Sequence, residues 1–174
     1  MYKLAILSFL LYAVSFFFGC SVPQYIWPQN DVEFYEINQK TLKKKILIAS
    51  RKSEYKIKIV EKIQTAFRNK NVYIKTIGIE TLKQEDANQY SAVLIINTSM
   101  GWKIDRKVES FLNKYGDLNS IIVLTTSAGG DILPDMDSRQ VDAISSASVK
   151  ENINQTADKI ISKIENLLKK TIDT

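Results

Sequence analysis

The sequence predicts an α/β domain built on a five-stranded parallel sheet, with helices on both faces. Short, continuous apolar runs recur along the chain, which is typical of strands buried on both faces. Between them lie longer segments whose apolar residues have helical spacing. Because this alternation builds right-handed crossovers between parallel strands, we expect a three-layer sandwich with strand order 2-1-3-4-5.

The expected elements follow from these two patterns. An apolar stripe through Ile59, Ile63 and Phe67 predicts a first long helix, with Ser53 as its N-cap. Val108 and Phe111 mark a second helix, and the polar stretch from residue 78 to 89 is predicted to hold a short one. A last helix is expected from about Asn152 to Lys170, and the five strands are expected at Lys45–Ser50, Val72–Ile77, Ala92–Ile96, Ser120–Thr125 and Val141–Ile144.

The N-terminus has the pattern of an export signal. Lys3 is followed by an apolar run from Leu4 to Phe18, which is shorter than the roughly 20 residues that span a bilayer. Gly19-Cys20 ends this run and resembles the lipobox of bacterial lipoproteins, although Phe17-Phe18 departs from its usual residues. The resemblance implies an acyl anchor, such as palmitate, on Cys20. The alternative is an uncleaved signal anchor.

These patterns divide the chain into a signal peptide (residues 1–19), a lipid-anchored tether (20–44) and a folded domain (45–172). Pro23 and Pro28 interrupt any periodicity in the tether, where Val32 to Ile37 suggests one short extended piece. We therefore expect the protein in the cell envelope, on the outer side of the inner membrane or on the outer membrane.

Composition excludes several kinds of chemistry. The chain has no His and a single Cys, so it has no Ser-His or Cys-His nucleophile pair and no internal disulfide. The carboxylates show no spacing typical of metal ligands, so no metal site is predicted. The formal net charge is +5, and removing Lys3 leaves +4 without a basic groove, which argues against nucleic acid as a partner.

The expected sheet places three loops at one edge. In sheets of this order, ligands bind beyond the carboxyl ends of the strands, beside the strand where the order reverses. That rule selects residues 50–53, 97–103 and 126–130.

Residues 44–170 resemble the flavodoxin family, mainly at Val93–Trp102 and Val123–Gly130. The resemblance implies a cofactor, FMN, and no catalytic acid or base. It places Thr98 and Trp102 in the loop after the third strand, with Trp102 stacked on the flavin ring. The alternative for Trp102 is packing on the sheet edge. Beside the ring it places the loop residues Thr125, Thr126, Gly129 and Gly130, which otherwise form an ordinary turn.

The first loop departs from the family pattern. Flavodoxins hold the FMN phosphate with a hydroxyl- and glycine-rich loop that opens the first helix. Here the loop reads Ser50-Arg51-Lys52-Ser53, and Arg51 and Lys52 are candidate phosphate partners. Residues 142–148 also resemble the acceptor motif of covalent FMN-binding domains, with Ser148 at the acceptor position; the alternative is a Ser-rich turn.

Two functional hypotheses remain open at this point. The first is a membrane-tethered flavoprotein for electron transfer or quinone-type reduction, with a redox partner. The second is a cofactor-free binding or structural lipoprotein that kept the fold. The exposed-looking segment 131–140 is a further candidate surface for docking on an envelope protein.

Overall fold

The computed structural model describes residues 29–99, 104–127, 129–130 and 141–170. They form one six-stranded sheet with the order β1-β3-β2-β4-β5-β6. All neighbouring strands are parallel except β1, which pairs antiparallel with β3. The strands are β1 (Tyr35–Ile37), β2 (Lys45–Ser50), β3 (Tyr73–Gly78), β4 (Ala92–Thr98), β5 (Ile121–Ser127) and β6 (Asp142–Ala147).

The predicted fold class is confirmed, with one strand more than expected. The order β3-β2-β4-β5-β6 is the predicted 2-1-3-4-5, because β2 to β6 are the five strands expected from the sequence. In the described ranges three α-helices accompany them, and the polar stretch after β3 folds into two 3-10 helices rather than one short helix. The helices are α1 (Glu54–Phe67), α2 (Arg106–Tyr115) and α3 (Asn152–Lys170), and the 3-10 helices are Ile79–Gln84 and Ala87–Gln89.

Side chains alternate between two buried faces of the sheet, as expected for strands covered on both sides. Ile48 and Leu94 point towards α1 and α3. Leu47 and Val93 point towards α2 and the first 3-10 helix. Near the carboxyl ends of the strands polar residues replace this apolar filling, and Ser50, Asn97, Thr125 and Thr126 are buried there.

The additional strand β1 lies inside residues 20–44, for which the sequence predicts a tether. Tyr35 pairs with Thr76 and Ile37 with Ile74, and Ile37 is buried in the core. Asn38 then turns the chain at φ 65°, and its side-chain amide donates to three backbone carbonyls beyond α1. A three-residue edge strand is too short to give a periodic signal, which explains why the sequence predicts only an extended piece there.

The residues of the predicted signal and the lipidation site Cys20 lie outside the described part of the chain. Within that part, none of the helices has the length and apolar character that crossing a membrane requires.

Candidate functional site

The carboxyl ends of β2 to β6 form one edge of the sheet, and the strand order reverses between β2 and β4. Of the ten cofactor-binding residues predicted from the sequence, nine lie at this edge, and Trp102 lies outside the described residues. The nine are Ser50, Arg51, Lys52, Ser53, Thr98, Thr125, Thr126, Gly129 and Gly130.

Arg51, directly after β2, is buried and surrounded by three carboxylates. Its Nη1 donates to Asp31 at 3.0 Å and to Glu80 at 2.9 Å. Its Nε and Nη2 donate to the same Asp105 oxygen at 3.1 and 2.6 Å. Burial opposes the charge, but the hydrogen bonds that Arg51 donates to Asp105 and Glu80 outweigh it, so the pKa of the guanidinium is raised.

Several other polar groups of this loop also have partners within the protein. The Arg51 N–H donates to Ile96 O and the Lys52 N–H to Asn30 O, at 3.3 and 2.7 Å. Ser50 Oγ donates to the Arg51 carbonyl, and Ser53 Oγ caps α1 by accepting from the Lys56 N–H. A phosphate at this loop would have to compete with three carboxylates for Arg51. The Lys52 side chain is 45% exposed, with Glu33 at 3.8 Å.

The segment before β1 contacts the Arg51 cluster and the ends of the neighbouring strands. Asp31 accepts a backbone hydrogen bond from Glu80, and Val32 N–H donates to Ser50 O. A Cβ atom built at Gly78 would overlap the Asp31 side chain, so only glycine permits this approach at the end of β3. Residues 30–32 therefore lie across the ends of β2 and β3.

Lys56 is a site residue that the sequence analysis missed. It lies on α1, its relative exposure is 2%, and its Nζ donates to Thr98 Oγ1 at the end of β4. Burial lowers its pKa to about 8, with the positive charge of Arg51 acting in the same direction and Asp105 opposing both. Among the residues described, no carboxylate forms an ion pair with Lys56.

A signal for Lys56 does exist in the sequence. It precedes Ile59 by three positions and Ile63 by seven, so it falls on the buried stripe of its helix. A lysine on the apolar stripe of an amphipathic helix is expected to be buried. Because Lys56 lies in the first turn of α1, directly after β2, its amine is expected at the carboxyl edge of the sheet.

Thr125 and Thr126, near the end of β5, face inwards. Asn97 Nδ2 donates to Thr125 Oγ1 at 3.2 Å, and Thr126 Oγ1 donates to Asn97 O at 3.1 Å. Within the described residues, Asn97 Oδ1 and Ser99 Oγ are buried without a hydrogen-bond partner. Polar groups in this state at the edge of a sheet are consistent with a site that takes a ligand or water.

The glycines after β5 form a turn beside a small pocket. Gly130 has φ 77°, its N–H donates to Ser127 Oγ at 2.8 Å, and its carbonyl accepts from Ser145 Oγ at 2.7 Å. The pocket has a volume of about 260 Å³ and lies between the end of β6 and α3, whereas the order reverses between β2 and β4. It is lined by Gly129, Gly130, Ile144, Ser145, Ser146, Ala147, Asn152, Gln155, Thr156 and Lys159.

No family model matches the chain, and no curated protein matches it in sequence. Solved structures do resemble it. A flavodoxin from the domain Archaea aligns with a TM-score of 0.52 at 12% identity, over 71% of this chain and 98% of that one. An oxidoreductase from Corynebacterium diphtheriae aligns with a TM-score of 0.50 at 10% identity, over 77% of this chain and 100% of the other.

A metal-soaked flavodiiron core from Synechocystis aligns with a TM-score of 0.54 at 12% identity, over 75% of this chain but only 38% of that one. This chain therefore spans less than half the length of the flavodiiron core. At these identities the likeness shows the fold alone, and that fold is flavodoxin-like.

Proposed function

We propose that the chain is a flavodoxin-like electron-transfer protein that binds FMN at the carboxyl edge of its sheet. The observation that supports this proposal is the buried ammonium of Lys56, at the point where the strand order reverses. An ammonium carries three donors, and only the one to Thr98 is engaged among the described residues. Bound FMN would supply reversible one- or two-electron transfer, which requires no acid or base from a chain without His.

The residues of the chain would share the work of holding this cofactor. The donor set around Lys56 and Thr98 fits an anionic phosphate, whereas the Arg51 cluster, already paired with carboxylates, does not. On the ring side, the flavodoxin resemblance assigns Trp102 and the loop from Thr125 to Gly130. Thr125 and Thr126 are buried, so their side chains are shielded from water on this side of the site.

A cofactor-free binding domain is the second candidate, and the geometry of the first loop favours it. Arg51 and the two backbone N–H groups of residues 51 and 52 all have partners within the protein. A loop satisfied in this way has no need of a phosphate to complete its hydrogen bonds. The ligand would then be a protein of the cell envelope.

Titration with FMN separates the two candidates. In a fragment from Gln29 to Thr174 the only tryptophan is Trp102, so quenching of its fluorescence reports from the loop after β4. Saturable quenching with a change in the visible flavin spectrum, at micromolar FMN, supports the electron-transfer proposal. If FMN at several hundred micromolar leaves both signals unchanged, the cofactor-free candidate replaces it.

We further propose that a lipid on Cys20 tethers the domain to the outer side of a bacterial membrane. This rests on the short apolar run and on Gly19-Cys20. The Cys20→Ser variant should move from the membrane fraction to the soluble fraction, and metabolic labelling with palmitate should disappear. Labelling that persists in the variant would contradict the lipid, and membrane association without any labelling would indicate an uncleaved signal anchor.

A further inference from the structure

Among the described residues, Lys56 is a cationic side chain at the carboxyl edge whose charge is not matched by a carboxylate. The Arg51 guanidinium, next to it along the sheet edge, contacts Asp31, Glu80 and Asp105. Within the described part of the chain, the Lys56 amine instead has one neutral partner, the hydroxyl of Thr98. A buried ammonium with a single neutral partner is expensive to maintain, so a role in binding an anion is a physical reason to keep it.

The surroundings of the amine define how an anion could reach it. Thr98 ends β4 and is only partly buried, and Ser53 before α1 is exposed, so the approach is from the carboxyl edge. The charged groups that act on Lys56 from the packed elements are Arg51, after β2, and Asp105, before α2. Asp105 favours the charged amine, but it is hydrogen-bonded to Arg51, and its effect is smaller than those of burial and of Arg51.

We infer that Lys56 is the cation that binds the phosphate of the flavin, in place of the Ser50–Ser53 loop. This inference rests on the proposed FMN site and names the residue that recognises the phosphate. Its ammonium would donate to a phosphate oxygen while keeping Thr98 as a second contact. Riboflavin, which is FMN without the phosphate, should gain nothing from Lys56.

The test compares FMN, riboflavin and inorganic phosphate on the 29–174 fragment and its Lys56→Met variant. We expect the FMN dissociation constant to rise about 10- to 100-fold in the variant, as for loss of a charge-assisted hydrogen bond. The riboflavin dissociation constant should change less than about 2-fold. Lys62→Met, an exposed position on the same helix, is the control and should bind FMN like the parent.

A second readout follows the amine itself, by NMR of the lysine side chains labelled with 13C at Cε. Saturating phosphate or FMN should raise the pKa of Lys56 above its value of about 8 in the unliganded protein, because an anion stabilises the charged form. FMN affinity should accordingly decline as the pH rises above about 8, while riboflavin affinity stays level.

The possible outcomes separate this inference from the proposed function. If FMN and riboflavin bind equally well and the Lys56 signals do not move, the phosphate assignment is wrong while the flavin proposal stands. If neither flavin binds but phosphate shifts Lys56, the anion site stands without FMN. If nothing binds and nothing shifts, both are wrong.

Discussion

A lysine amine inside a protein lowers stability, because the ammonium loses hydration that one threonine hydroxyl does not replace. For Lys56, burial lowers the pKa from 10.5 to about 8, which corresponds to about 3 kcal/mol of lost stability at neutral pH. The Arg51 cluster at the same edge has the opposite character. There the buried cation is matched by carboxylates, and removing it would leave them uncompensated.

Replacing Lys56 by methionine should therefore stabilise the protein at pH 7, by about 1–3 kcal/mol, because Met fills similar space without a charge. Between pH 8 and 10.5 the unfolded chain binds more protons than the native state, so the stability of the parent rises through this window relative to the variant. The advantage of Lys56→Met should thus shrink towards pH 10. Urea unfolding at several pH values measures the difference in unfolding free energy between the parent and the variant, with Lys62→Met as the exposed control. A variant less stable than the parent at pH 7 would refute this account.

Replacing Arg51 by methionine should act in the opposite direction, costing about 3 kcal/mol of unfolding free energy. Asp31 and Asp105, both mostly buried, would lose their shared cation. The neighbouring Lys52→Met provides the matched control, since the ion pair of Lys52 with Glu33 is long and exposed and should contribute less than about 0.5 kcal/mol. Equal unfolding midpoints for the two variants would show that the ion pairs of Arg51 contribute no more to stability than an exposed ion pair.

At the scale of elements, the sequence predicts best the strands and helices whose apolar residues follow a regular pattern. The strands β2 to β6 and the helices α1 to α3 follow from apolar runs and stripes, and the strand order follows from their alternation. The strand β1 has three residues and no period, so its place on the edge depends on β3, which comes much later in the chain. The Arg51 cluster joins positions 31, 51, 80 and 105, and no local pattern links them before the chain is folded.

The segment before β1 depends on one close approach, and this can be tested at Gly78. In Gly78→Ala the new Cβ would overlap Asp31, so residues 30–32 should be displaced from the ends of β2 and β3. We expect faster limited proteolysis in residues 29–34 and a loss of about 1–3 kcal/mol in stability.

Asp31→Gly supplies the control for Gly78→Ala, because it removes the atoms that the new Cβ would meet. The double variant should therefore lose less than the sum of the two single variants. Strict additivity would mean that the two residues do not compete for the same space.

For the whole molecule, the boundary of the folded domain lies earlier than the strand at Lys45. Residues 31–37 supply a carboxylate to Arg51, a buried Ile37 and a partner for the edge of β3. If the chain is anchored at Cys20, residues 21–28 remain between the lipid and Gln29, whose carbonyl makes the first described contact. The folded domain would then lie close to the membrane surface.

A fragment that begins at Lys45 should consequently be much less stable than one that begins at Gln29. It loses the burial of Ile37 and one ion pair of the Arg51 cluster, together about 3 kcal/mol. It also exposes the backbone donors and acceptors along β3, a strand edge that favours association between chains. Size-exclusion chromatography and urea unfolding of the two fragments measure both effects.

Ile37→Ala and Phe34→Ala in the longer fragment separate burial from chain length, since Phe34 is 62% exposed and should be nearly neutral. If the Lys45 fragment is monomeric and has the same unfolding midpoint as the longer one, residues 29–44 are a simple tether and contribute nothing to the folded domain.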